Sequence, residues 1–457
     1  MATKQSRRSV VGEWFDNTAR YYPARLALLA FAATILLFTL LLELPIATRS
    51  GVRAPFIDAL FTATSAVCVT GLSTVDVGTY WSAWGLFFMG LGIKVGGLGI
   101  MTLATLVGLA VARRIGLTQR ILAASEARAS GLGDLRSLLR IIVVVSTITE
   151  LAIATILFPR FLTLDYGVGR SLGFSLFYGV SSFNNAGFSP DPVGLYPYSS
   201  DLWMLVPIGL GVLIGALGFP VYFNLLRAWH APKRWTLHTK LTLTMVVVLS
   251  FISAAFLLLF EWDNPGTLGS ETTVATIGNV FFQSINQRSG GFSVFDISQA
   301  TQQTWLLEDV LMFIGGGSGG TAGGIRVTTL AVLLLAIWAE ARGRRDIEAF
   351  HKRIGTEVLR LAVSVMLVSL FIVIVGTSVF MGVTGIPLDR SLYEVVSAFA
   401  TCGLSTGITG DLNLAGEITL IVLMYVGRVG SLTVVAALAL NRQRRVVRYP
   451  SERPLVG

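Results

Sequence analysis

Charge is what this sequence has least of. Asp, Glu, Lys and Arg make up 13% of its 457 residues, where a soluble domain carries about a quarter. Hydrophobic residues reach 53%, and that balance belongs to a membrane protein. Two cysteines exclude a disulfide scaffold. The three histidines, His230, His238 and His351, fall in basic loops and form no metal-ligand cluster. An integral membrane enzyme would need catalytic groups in the apolar stretches, and only Lys94 and Glu150 offer themselves, with no histidine or paired carboxylates. A glycine-rich run is present, but the GK[ST] of a phosphate loop is not.

The net charge of +9 raises nucleic acid as a partner, yet the distribution of charge argues for topology instead. Of 35 Lys and Arg, 26 lie in residues 1–25, 113–140, 227–240, 342–360 and 442–453. Acidic residues such as Asp76, Asp191, Asp201, Glu261, Asp263 and Asp296 collect in the alternate loops. The positive-inside rule puts both termini and the basic loops in the cytoplasm. The opposite, acid-lined face would gather cations. The basic loops also suit anionic lipid. The apolar run Leu26–Leu44 is too long for the core of a signal peptide and is expected to be a spanning helix.

One fourteen-residue pattern occurs four times. It reads LFTATSAVCVTGLS from Leu60, LFYGVSSFNNAGFS from Leu176, VFFQSINQRSGGFS from Val280 and LYEVVSAFATCGLS from Leu392. Each copy ends in Gly, an apolar residue and Ser, with the glycines at Gly71, Gly187, Gly291 and Gly403. Self-similarity at a near-fixed period is the mark of a repeat architecture. A spanning helix needs about 20 apolar residues. Long apolar runs predict first helices at 25–44, 137–158, 238–260 and 356–381, and second helices at 82–112, 202–226, 304–338 and 415–440. The segments between, 56–66, 171–182, 273–284 and 389–399, are too short to span and read as re-entrant half-helices. Pro55 fits the first turn of one of them.

The expected fold is an all-α polytopic membrane protein of four tandem helix–pore-helix–helix repeats with pseudo-four-fold symmetry around one pore. Residues 1–24 form a cytoplasmic N-terminus. The repeats occupy 25–112, 113–226, 227–338 and 339–441, and 442–457 is a cytoplasmic tail.

Non-helical backbone at membrane depth must be buried in protein or line water. The candidate filter stretches are Cys68, Val69, Thr70, Gly71 and Leu72; Asn184, Asn185, Ala186, Gly187 and Phe188; Arg288, Ser289, Gly290, Gly291 and Phe292; and Ala400, Thr401, Cys402, Gly403 and Leu404. Four such stretches around one axis make carbonyl rings that replace the hydration shell of an alkali cation. The half-helices aim negative C-terminal ends at the same axis. Arg288 fits better behind the filter than in the pore, where it would repel cations. Cys68 and Cys402 read as small buried fillers, with a redox role as the alternative.

Residues Gly315, Gly316, Gly317, Ser318, Gly319, Gly320, Thr321, Ala322, Gly323 and Gly324 interrupt the apolar run Trp305–Trp338. Each glycine costs a helix about 1 kcal/mol relative to alanine, so the helix is expected to break into a loop. Arg428 sits in the last apolar helix, where a charge is costly and functional by default. It would either obstruct cations electrostatically or hold the loop by its carbonyls. Arg326 would either serve the same loop or snorkel toward the cytoplasm. Lys94 and Glu150 either pair with each other, or Lys94 faces the cavity.

The repeated plan, the endings VTGLS, NNAGFS, RSGGFS and TCGLS, and the runs GGGSGGTAGGIRV and MYVGRVGSLT resemble the Trk/Ktr/HKT superfamily of potassium transporters over essentially the whole chain. Only about 24 residues precede the first helix, which favours the Ktr type. The resemblance implies that the glycine run is a gate, that Gly71 in place of serine goes with K+ over Na+, and that the chain forms a homodimer. It also implies docking on a cytoplasmic nucleotide-binding regulatory ring of the RCK type (KtrA-like) through loops 113–140 and 342–360, in a prokaryotic cell membrane. No cofactor is expected on this chain. K+ is the transported ion, and Na+ is a candidate coupling or regulatory ion. Lys94 departs from the neutral glutamine usual in the family. The competing reading is a secondary symporter with alternating access, but such repeats are commonly inverted, and these four are parallel.

Overall fold

The computed structural model describes residues 23–113, 135–269 and 272–430. Helices α1 (Pro23–Leu42), α2 (Phe56–Cys68) and α3 (Ala83–Arg113) carry the first copy of the pattern. Helices α4 (Leu135–Thr163), α5 (Val168–Asn184), α6 (Leu202–Leu217) and α7 (Phe219–Ala228) carry the second. The third lies among α8 (Leu237–Glu261), α9 (Thr273–Asn286), α10 (Gln302–Ile314) and α11 (Val327–Ala341). The fourth lies among α12 (Thr356–Thr384), α13 (Leu388–Ala400) and α14 (Leu414–Tyr425), which passes into a π-helical turn at Val426–Gly430. The expected continuation to 440 lies outside the described residues.

Among the described residues, Leu139–Thr163, Leu237–Glu261 and Thr356–Thr384 are each long and apolar enough to cross a membrane, and α6 with α7 make a bent fourth. Their outward faces expose Leu259, Phe371, Ile148 and Val206. Continuous exposed apolar surface of this kind suits lipid rather than water. The buried centre is made of the short helices instead: Phe61, Tyr178, Val280, Tyr393 and their neighbours form one cluster.

The second long helix of the second copy departs from expectation. It does not run from 202 to 226 but breaks at Gly218, with α6 and α7 at 98°. Gly218 has φ of +91°, and Pro220 follows in the first turn of α7. The carbonyl of Gly319 accepts from Phe219 N at 3.2 Å, and Gly317 N donates to Ala216 at 2.8 Å. A distant loop thus satisfies the backbone groups that the break frees. The half-helix α5 is longer than expected, and Pro55 is the N-cap of α2 rather than a first-turn residue.

One short hairpin joins the helices. Strands β1 (Ile347–Ala349) and β2 (Lys352–Ile354) pair antiparallel, Ile347 opposite Ile354. The two-residue turn, Phe350 and His351, takes φ of 49° and 62°, the left-handed turn that matches strand twist. Ile347 and Ile354 pack on Leu241, Ala331 and Val332.

Candidate ion pathway

The four pattern glycines converge. A Cβ on Gly71 would lie 2.4 Å from the carbonyl oxygen of Ala186, and one on Gly403 2.1 Å from that of Thr70. One on Gly291 would lie 2.3 Å from the oxygen of Cys402, and one on Gly187 2.8 Å from Gly291 Cα. The contacts run in the cyclic order 71, 187, 291, 403. All four glycines have positive φ, between 70° and 103°, which side-chain-bearing residues rarely adopt. No larger residue fits any of the four positions without moving a neighbouring backbone.

Three of the stretches are built alike. Helices α2, α5 and α13 end at left-handed caps, Val69, Asn185 and Thr401, with φ of 56°, 60° and 48°. The next amide returns to the serine at the sixth pattern position: Thr70 to Ser65, Ala186 to Ser181 and Cys402 to Ser397. The Ser65 and Ser397 hydroxyls also accept from Gly71 N and Gly403 N, each at 3.0 Å. The third stretch differs in two ways: its cap residue Gln287 stays right-handed, with φ of −57°, and Ile285 at the sixth position has no hydroxyl to offer. There Ser289 N and Gly290 N fold back on the Asn286 carbonyl instead. Arg288 turns away from the ring, donating to the Val246 carbonyl at 3.3 Å and Ser250 Oγ at 2.8 Å on α8. Cys68 and Cys402 are buried free thiols.

The glycine-rich run is a loop extruded from one span. Ile325 N donates to Phe313, Arg326 N to Ile314 and Val327 N to Gly316, so α11 resumes almost where α10 stopped. The loop meets the beginnings of the glycine stretches, where the short helices end. Gly323 N donates to Ser289 Oγ at 2.9 Å, and Thr321 Oγ1 donates to Asn185 Oδ1 at 2.8 Å. A Cβ on Gly323 would lie 1.8 Å from the Ala400 oxygen. Arg428 Nη1 donates to the Thr321 carbonyl at 2.6 Å and to Thr401 Oγ1 at 3.3 Å. Arg326 braces the loop too, through Ala322 and Gly317 carbonyls, rather than snorkelling.

The other ends of the stretches open into a mouth of about 530 Å³ lined by Leu72, Ser73, Phe188, Asp191, Ser405 and Thr409 among others. Asp191 accepts from Tyr166, Tyr178 and Tyr198 at 3.1 to 3.3 Å. Burial raises its carboxyl above the ordinary carboxylate range, opposed by those three hydroxyls and by Arg170. Lys94 and Glu150 pair at 2.6 Å, and Glu150 accepts from Asn184 Nδ2 at 2.9 Å. Of the two arrangements open to Lys94, the structure adopts the ion pair. The residues that sequence reasoning missed are those acting from behind: Ser65 and Ser397, legible as a recurring serine, and Glu308, whose partners lie far along the chain.

Four glycine-bearing stretches thus meet in one ring, and the glycine-rich loop packs against the ends of the short helices that carry them. The family model of the TrkH cation transport proteins matches residues 12–449. The chain belongs to this family. It is 37% identical to the Ktr system potassium uptake protein B of Bacillus subtilis, over 96% of this chain and 97% of that protein. It is 36% identical to the potassium/sodium uptake protein NtpJ of Enterococcus hirae, over 96% of this chain and 98% of that one. The crystal structure of the potassium transporter TrkH from Vibrio parahaemolyticus shares the fold, with a TM-score of 0.71 at 19% identity, over 97% of this chain and 87% of that one. This TrkH-family chain is a multi-pass membrane protein and an ion transporter, not an enzyme.

Proposed function

We propose that the chain is the potassium-translocating membrane subunit of a Ktr-like uptake system, a gated pore through which K+ flows down the membrane potential. The cyclic contact of Gly71, Gly187, Gly291 and Gly403 carries the reading. Carbonyl-bearing backbones gathered this closely around four glycines are the kind of element that can replace the hydration shell of an alkali cation. The four stretches, Cys68–Leu72, Asn184–Phe188, Ser289–Phe292 with Arg288 as a brace, and Ala400–Leu404, form the filter. Gly315–Gly324 and Arg428 form the gate. The repeats 25–112, 113–226, 227–338 and 339–441 are pseudo-subunits around the pore, with both termini cytoplasmic. The naming of relatives as Ktr system proteins supports a regulatory partner of the RCK type beneath a homodimer, and the name of the Enterococcus relative supports a role for Na+.

The test is uptake of radiolabelled rubidium and sodium into proteoliposomes holding this chain, beside Gly71→Ser and a variant lacking 316–323. Rubidium flux that is selective, relaxed toward sodium by the serine and raised by the deletion is expected. No cation flux in any variant, even with a regulatory subunit added, would end the pore reading.

A further inference from the structure

The third stretch lacks the serine that props the others, and a buried acid stands behind it. Glu308 on α10 is completely buried. Its Oε1 accepts from Gln287 Nε2 at 2.7 Å and Gln283 Nε2 at 3.2 Å, and its Oε2 accepts from the Tyr393 hydroxyl at 2.5 Å. Gln283 belongs to α9, Gln287 caps its end, and Tyr393 belongs to α13. One carboxyl group therefore joins the two short helices that carry the third and fourth stretches.

The chain of contacts continues to the stretches themselves. Gln287 precedes Arg288 and Ser289 in sequence. Its side-chain oxygen accepts from Ser253 of α8 at 2.5 Å, and its carbonyl lies 3.7 Å from the Cys402 thiol. Cys402 in turn presents its carbonyl to Gly291. A shift of Gln287 would therefore be felt on both sides of the contact between Gly291 and Gly403.

Nothing else explains an acid at this place. Among the described residues no ion pair includes Glu308. A buried carboxyl without a counter-charge is costly to fold around. What it supplies is direction: one planar group joins three hydrogen-bond partners on two helices. Serines at the sixth position prop the first and fourth stretches from within their own helices. The third has Ile285 there, and Glu308 supplies the missing support from outside.

The geometry points to Glu308 as a specificity-determining positioning residue, which sets the spacing of the third and fourth stretches and so the discrimination between alkali cations. The inference rests on the reading of those stretches as a filter. Glu308 also lies seven residues before Gly315, the residue that caps the same helix, so the element that leads into the gate loop also clasps the filter.

The experiment compares the full chain with Glu308→Ala, Glu308→Gln and Tyr393→Phe in proteoliposomes, reading the sodium-to-rubidium flux ratio beside total flux and thermal unfolding. Glutamine can accept from both Gln283 and Gln287 and donate to Tyr393, so its ratio is expected to stay near that of the parent. Alanine, which removes all three hydrogen bonds at once, is expected to raise the ratio about tenfold. Tyr393→Phe, which keeps the core volume, should raise it less, and it carries the test if the alanine variant does not fold. A parent chain without preference for rubidium would end the filter reading itself. A selective parent whose alanine and phenylalanine variants keep the same ratio would overturn the role of Glu308 alone. A glutamine variant as unselective as alanine would equally overturn a role based on geometry.

Discussion

Arg428 Nη1 lies 2.6 Å from the carbonyl oxygen of Thr321. The contact joins the last described turn of the chain to the glycine-rich loop, 107 residues earlier. Arg428 is 2% exposed, so its guanidinium bonds the loop without competition from bulk water. Of the two roles open to this arginine on sequence grounds, its bond to the Thr321 carbonyl fits the one in which it holds the loop, and under the proposed function that hold would keep the pathway shut.

Arg428→Ala is therefore expected to favour opening. A buried hydrogen bond from a charged donor contributes about 1.5–3 kcal/mol, which corresponds to a tenfold or greater shift between closed and open populations at about 1.4 kcal/mol per decade. Rubidium uptake should rise by about that factor where closure limits flux. Arg428→Lys should rise less, since an ammonium can keep one of the two bonds. Uptake by the alanine variant at or below the parent level would show that the arginine does not hold the gate shut.

The loop and the short helices were legible in the sequence because each is a local property, and the four glycines were legible because their pattern recurs. Seven glycines among Gly315–Gly324 cannot stay helical, and an apolar segment of half length cannot span. The break at Gly218 was not legible in the same way. Gly218 and Pro220 mark the place, but 202–226 still reads as one apolar run. What stabilises the bend is supplied by Gly317, Gly319 and Thr321 from a loop about 100 residues on. The support of the third stretch was missed: Ile285 stands where the other copies have serine, and nothing local points to Glu308. Arg288 was expected behind the ring, and Val246 and Ser250 hold it there.

Lys94 and Glu150 form the second testable pair. Their side chains are 18% and 7% exposed, and Glu150 also fixes Asn184 at the head of the second stretch. Breaking a buried pair by neutralising one member costs about 3–5 kcal/mol, because the other charge is left buried alone, whereas removing both is often nearly neutral. Glu150→Gln is thus expected to lower the thermal unfolding temperature in detergent well below that of the double variant Lys94→Gln with Glu150→Gln. In the double variant, glutamine at 150 can still accept from Asn184, so rubidium selectivity should be kept. A double variant no more stable than Glu150→Gln alone would mean that the pair is not the reason for the loss.

Asp191 gives the pathway its expected response to external pH. Asp191 is among the residues lining the mouth, which the proposed topology puts outside, and burial raises its affinity for a proton above that of an ordinary aspartate. The mouth therefore loses this negative charge at a higher pH than a solvated carboxylate would. The sign for stability follows from the same shift. With the folded-state pKa raised, Asp191 contributes stability at pH below its unfolded value and loses that contribution as pH rises through the folded value. Transport runs the other way, because a negative mouth concentrates cations and speeds their entry. Rubidium uptake at low external concentration should fall as the outside is acidified through the raised range, and should fall less at high ionic strength, where screening already weakens the attraction. Asp191→Asn, whose single amide oxygen keeps only part of the bonds from Tyr166, Tyr178 and Tyr198, should remove most of the pH dependence and start from a lower flux. A variant whose pH profile superimposes on that of the parent would place the titrating group elsewhere on the outer face.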